Sequence, residues 1–105
     1  MSDGIVLVVA AFCLEITAGP AQNVANGKAI AEIWCSSCHR INPEQRLTTS
    51  DTAPPFSSIA QLRSANPSSL TALLSTKHGG MPDLTLSRQE IRDLSAYILS
   101  LHRNR

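Results

Sequence analysis

Four stretches of this chain carry four different hydrophobic patterns. Ile5 to Leu14 is apolar without interruption, and at ten residues it is too short to span a bilayer as a helix. Gly27 to Trp34 reads as a helix with Asn26 as its N-cap. Its Gly27 and Ala31 lie one turn apart, a small face that lets another helix cross closely. Asn66-Pro67 opens a further helix whose Leu70, Leu73 and Leu74 share one face. Gly79-Gly80 is expected to end it, with Met81-Pro82 in the loop that follows. Ser87-Arg88-Gln89-Glu90 is a capping box, and Ile91, Leu94, Ile98 and Leu101 then form one buried stripe. Tyr97 lies beside that stripe, where it can meet Gly27 and Ala31. His102, Arg103 and Arg105 suit the negative end of this last helix.

Between these stretches the chain is polar. Residues 40–53 include Pro43, Thr48, Thr49 and Ser50 and read as a long surface loop. Pro54-Pro55 is a stiff, extended step. Phe56 then returns to the core, and Ser57 to Leu62 is expected to form a short helix. No run of alternating β-branched residues suggests a sheet. The expected fold class is all-α, in one domain.

The apolar stretch near the start matches the central region of a secretory signal, with Gly19-Pro20-Ala21 supplying small residues for cleavage after Ala21. Residues 1–21 therefore read as a signal peptide and 22–105 as the folded domain, with a periplasmic location. Asp3 and the lack of Lys or Arg before Ile5 leave an uncleaved membrane anchor as the alternative. Cys13 reads as a hydrophobic signal residue, because bulky Phe12 precedes it. Cleavage would leave nine basic and six acidic residues, a net +3 against +1 for the whole chain. With no basic stripe, that balance argues against a nucleic-acid binder.

With 105 residues and only 4% aromatics, the material for a core is thin. A domain this small commonly needs a staple. Trp34-Cys35-Ser36-Ser37-Cys38-His39 supplies one, since Cys-x-x-Cys-His is the pattern of c-type haem attachment. Both thiols can add to the haem vinyl groups, and the three-residue step puts both sulfurs on one side of a helical turn. His39 can then reach the iron, and Met81 is the candidate second ligand, being the only methionine besides Met1.

Other readings compete for the same residues. Trp-Cys-x-x-Cys is also the form of a thioredoxin-like redox pair, which needs a preceding strand. A structural zinc site would use Cys35, Cys38, His39 and His78, although adjacent Cys38 and His39 fit one tetrahedron poorly. Met81 can be a gap-filling core residue, but its place between two glycines and a proline weakens that reading. His78 can face solvent, bond a haem propionate or replace Met81. Trp34 reads as packing against the haem or the last helix, with a propionate bond as an alternative. His102 reads as a surface residue, and Tyr97 as a helix contact rather than an electron relay.

Taken together, the chain resembles a small class I cytochrome c from about Ala25 to Leu101. The resemblance is carried by Gly27 eight residues before Cys35, by the Cys35–His39 motif, by Met81-Pro82 in a loop after a helix, and by Leu94 with Tyr97. It implies three to four helices around one covalently attached haem c, with the first and last helices crossing. It implies His39 and Met81 as axial iron ligands. It also implies a proline whose carbonyl accepts the other ring proton of the proximal histidine, Pro54 matching best and Pro55 next. Two departures stand out: Ala31 is small where the family often has an aromatic residue, a gap that Trp34 could compensate, and the loop before Pro54 is somewhat long.

The expected function is that of a one-electron carrier rather than an enzyme. Its partners would be a donor dehydrogenase and an acceptor oxidase or reductase, and the protein would be monomeric. The alternatives are a haem subunit of a larger oxidoreductase, an open-site haem enzyme or ligand sensor, and the thiol-disulfide oxidoreductase above.

Overall fold

The computed structural model describes Gly4, residues 22–76 and residues 80–103. Apart from Gly4, the expected signal peptide, with Cys13, lies outside the described residues, as do His78, Gly79 and Arg105. The described residues form helices and loops without a strand. In order, the elements are α1 (Val24–Trp34), α2 (Phe56–Ala60), α3 (Pro67–Ser75) and α4 (Arg88–Ser100), with a 3-10 turn at Leu101–Arg103. The α4 helix is the hub, packing most extensively on α1 and also on α3 and α2.

The α1 helix begins earlier than its pattern suggests. Asn23, not Asn26, is the N-cap, its Oδ1 accepting the Asn26 N–H at 2.9 Å. Asn26 is instead a first-turn residue that reaches across to α4, donating from Nδ2 to Asp93 Oδ2 at 2.7 Å. Gly27 shows why the crossing is so close. A Cβ there would overlap the Asp93 carbonyl oxygen and lie 2.9 Å from Tyr97 Cβ. Only a residue without a side chain lets the two backbones approach this far.

Ala31 is completely buried at the same crossing, whereas Trp34 is 55% exposed. The expectation that Trp34 packs against the last helix, and compensates for the small Ala31, is therefore corrected. The inward face of α1 is Gly27, Ile30 and Ala31, and Cys35 takes the inward position at its end, leaving the indole outside.

The α4 helix follows its pattern. Ser87 Oγ accepts the Glu90 N–H at 3.1 Å and Glu90 Oε1 accepts the Ser87 N–H at 2.9 Å. Ile91, Leu94, Ile98 and Leu101 are all buried. The basic residues His102 and Arg103 lie in the 3-10 turn beyond the last turn of α4, not within it. A second reciprocal box opens α3, where Asn66 Oδ1 accepts the Ser69 N–H and Ser69 Oγ accepts the Asn66 N–H. This helix stops before the glycines expected to end it. Thr76 turns extended at ψ 148°, while the hydroxyls of Ser75 and Thr76 donate to the carbonyls of Thr71 and Ala72 at 2.6 and 2.9 Å. The Thr76 hydroxyl thus satisfies the Ala72 carbonyl, which a further turn would have used.

One buried charge ties the ends together. Asp93, 2% exposed, accepts from the Asn23 backbone N–H (2.9 Å), Asn26 Nδ2 (2.7 Å) and Gln89 Nε2 (2.8 Å). The Asn23 N–H holds its carboxyl below the ordinary value against the opposing effect of burial, with Asn26, Gln89 and Arg92 adding to the shift. The carboxylate also lies at the positive end of the α1 dipole.

Candidate functional site

The α1 helix runs directly into the cysteine turn. The N–H groups of Cys35 and Ser36 both donate to the Ala31 carbonyl at 2.9 Å, and those of Cys38 and His39 donate to the Cys35 carbonyl at 3.2 and 2.8 Å. The motif is therefore one tight turn fixed to the helix end. Both thiols are free; Cys35 is buried and Cys38 half-buried. Burial pushes the Cys35 thiol up to about 11.

Cys35, His39, Met81 and Ile98 line one cleft with Phe56, Ile59, Leu70, Leu73 and Leu74. The cleft holds about 370 Å³ of space between atoms, some of it open to solvent. Its wall explains the exposure of α3: Leu70 is buried, but Leu73 of the same apolar face is 37% exposed because it borders the cleft. Cys38 is not part of this lining. Its Sγ lies 3.9 Å from Thr49 Oγ1 and 3.8 Å from Ser37 Oγ.

The orientation of His39 is fixed from behind. Its Nδ1 lies 2.8 Å from the Pro54 carbonyl oxygen, and Pro55 has no part in this contact. A carbonyl can only accept, so the proton is on Nδ1 and the Nε2 lone pair is left for another partner. Phe56 stands against the ring at a centroid distance of 5.3 Å and meets Tyr97 edge-on at 6.5 Å. The Phe56 N–H donates to the Arg40 carbonyl at 2.9 Å, closing the loop between His39 and Pro54.

Several contributors carry no signal in the sequence. Asp93 is one. Thr49 is another, its N–H and Oγ1 both donating to the Ser37 carbonyl at 2.7 and 2.8 Å. Gln45 bonds the same turn through its side-chain amide. Tyr97 does more than touch a helix: its buried hydroxyl donates to the Ile41 carbonyl at 2.8 Å. Burial, with Glu32 and Glu44 adding, raises its phenol above the ordinary value, so it stays a neutral donor.

These residues fit a covalently held haem. Two thiols three residues apart stand on one turn, an apolar wall rises beside them, and an imidazole of fixed tautomer and a thioether share that wall. They do not fit the thioredoxin-like reading. The cysteines follow a helix rather than a strand, and a thiol at about 11 is a poor exchange nucleophile. Among the described residues no group of three or more His, Cys, Asp or Glu side chains is placed to hold a metal ion by itself, and His78 lies outside them.

Comparison with known proteins agrees. Residues 22–98 match the family described as cytochrome c oxidase, cbb3-type, subunit III. The chain is 36% identical over 98 residues to cytochrome c-552 of Bradyrhizobium diazoefficiens, covering 93% of this chain and 92% of that one. No solved structure matches it significantly. The chain belongs to this family of c-type cytochrome domains, electron-transfer proteins that carry covalently bound haem c.

Proposed function

We propose that the chain is an exported monohaem carrier that passes single electrons between redox proteins. Cys35 and Cys38 would hold the haem as thioethers, and His39 and Met81 would hold its iron. The observation that carries this reading is the cleft itself. His39, Met81 and Cys35 share one apolar lining, and the Pro54 carbonyl commits His39 Nδ1, freeing Nε2.

The bound haem c supplies a one-electron Fe(II)/Fe(III) couple. The residues of the chain set its properties. The Pro54 carbonyl draws on the Nδ1 proton and makes the imidazole more basic. Met81 brings a soft sulfur, which favours the reduced state. Phe56, Ile59, Leu70 and Ile98 give the cleft an apolar wall. Were both the His39 imidazole and the Met81 thioether to hold the iron, the group would supply outer-sphere electron transfer rather than bond-making chemistry with a small molecule. Partners would be a donor dehydrogenase and an acceptor oxidase or reductase, met through a small transient contact.

The exported location rests on residues 1–21 acting as a cleaved signal. Among the described residues, no helix is long and apolar enough to cross a membrane. A second reading has its own support, because the matching family is described as an oxidase subunit. Co-purification with an oxidase would favour the subunit reading, and a lone monomer on size exclusion the carrier.

A pyridine haemochrome assay on protein matured with a haem-attachment system tests the first step, with a c-type band expected. Slow or absent carbon monoxide binding to the reduced protein is expected, and rapid binding would favour an open-site enzyme or sensor. Met81→Ala should abolish the weak Met–Fe(III) charge-transfer band and lower the midpoint potential. An unchanged band would mean another iron ligand.

A further inference from the structure

We infer that Gln45 is a positioning residue for the haem-attachment turn, holding the Cys35–His39 backbone in the shape that presents the thiols and the imidazole. This role rests on the function proposed above.

The turn is short of partners by construction. A helix that stops at Trp34 leaves carbonyls without helical donors. The first of them are met locally, since Ala31 O accepts from Cys35 and Ser36, and Glu32 O accepts from Ser36 Oγ. Cys35 O is met by Cys38 and His39, and Ser37 O by Thr49. The carbonyls of Ser36 and His39 flank this turn, and one side chain serves both. Gln45 Nε2 donates to Ser36 O at 2.5 Å and to His39 O at 3.1 Å, with Leu47 O at 3.2 Å.

The other half of the amide is equally committed. Gln45 Oε1 accepts the Ile41 N–H at 2.9 Å, and the Ile41 carbonyl accepts from Tyr97 Oη at 2.8 Å. A continuous chain of hydrogen bonds thus runs from α4 through Tyr97, Ile41 and Gln45 to both ends of the attachment turn. The amide cannot be reversed within it, because three carbonyls face the nitrogen and one N–H faces the oxygen. Gln45 is itself anchored, its N–H donating to Asn42 Oδ1 at 2.9 Å. The same turn sets where His39 stands relative to the Pro54 carbonyl, so a loosened turn weakens that bond and the basicity it gives the imidazole.

Gln45→Glu is the sharpest test. It keeps the shape and an acceptor for Ile41 but sets a carboxylate oxygen against three carbonyls. Gln45→Met removes donor and acceptor without adding charge and serves if the first variant folds poorly. Ser87→Ala removes a cap on α4, remote from the turn, and is the control for lost stability. Holoprotein is measured by amide hydrogen exchange and redox titration. Expected for Gln45→Glu is at least tenfold faster exchange at Cys38 and His39, with Gln45→Met speeding it less; Gln45→Met, which adds no charge, should raise the midpoint potential. Ser87→Ala should speed exchange in α4 and leave the potential alone.

Wild-type exchange and potential in both Gln45 variants overturn the positioning role. So does a potential change in Gln45→Met no larger than that of Ser87→Ala, or faster exchange at Cys38 and His39 in Gln45→Met than in Gln45→Glu. A wild-type protein without a c-type band would instead sink the proposed function itself, and this role with it.

Discussion

The crossing of α1 and α4 and the loop at residues 40–53 are built on opposite principles. At the crossing, two backbones touch through Gly27, and fully buried Ala31 and Leu94 leave no spare space. The loop has almost no core, with Ile41 as its one fully buried side chain, and Leu47 is 86% exposed. It is held by directional bonds from Gln45, Thr49 and Tyr97. Packing failures are felt at once, because a dense interior cannot yield. Hydrogen-bond failures are graded, because each net bond is worth little and water replaces many of them. The contrast predicts a falling series of effects as substitutions move from the crossing towards the loop.

Gly27→Ala should be the most damaging. The new methyl meets the Asp93 backbone rather than a flexible side chain, so a destabilisation of about 3 kcal/mol is expected by urea unfolding. A loss below about 1 kcal/mol would mean that the crossing yields and the comparison fails.

Asp93→Asn comes next, since packing and polar bonding meet there. It sets an amide nitrogen near Asn26 Nδ2 and weakens a charge-assisted cluster, at a cost of about 2 kcal/mol near neutral pH. The pH dependence follows from the lowered folded-state value of Asp93. Its contribution is complete above the unfolded carboxylate range, about pH 4, and is lost as pH falls through the lowered folded value. Urea midpoints measured from neutral to acid pH should fall less steeply for the variant than for the wild type. Parallel curves would show that Asp93 does not drive the acid loss.

Tyr97→Phe marks the junction of the two regions. The ring still fills the core, but the Ile41 carbonyl loses its donor, for about 1 kcal/mol. Exchange at residues 40–49 should rise more than exchange in α4. A uniform rise would mean that the hydroxyl supports the whole fold and not the loop.

What the sequence disclosed follows the same division. The stripe Ile91, Leu94, Ile98 and Leu101, the Ser87–Glu90 capping box, the Asn66-Pro67 helix start, and the Gly27–Ala31 face were legible because helical periodicity and local capping are written within a few residues. The Cys35–His39 motif was legible because its chemistry demands fixed spacing. Asn23 escaped as the N-cap because the choice between it and Asn26 is made by Asp93, seventy residues away. Trp34 was misplaced because a helix pattern does not tell where the partner helix ends. The end of α3 was misplaced because glycines are louder signals than the hydroxyls of Ser75 and Thr76. Gln45 and Thr49 were invisible, since polar residues in a loop have no period to betray them.

The partner of His39 Nδ1 is a main-chain carbonyl, not a carboxylate or an amide. No exchange of one amino acid for another at position 54 deletes that oxygen; it only moves it. The push that the backbone gives to the imidazole is therefore shielded from simple point changes, and variants that retune the metal must work by displacing the segment or by altering the opposite side of the cleft.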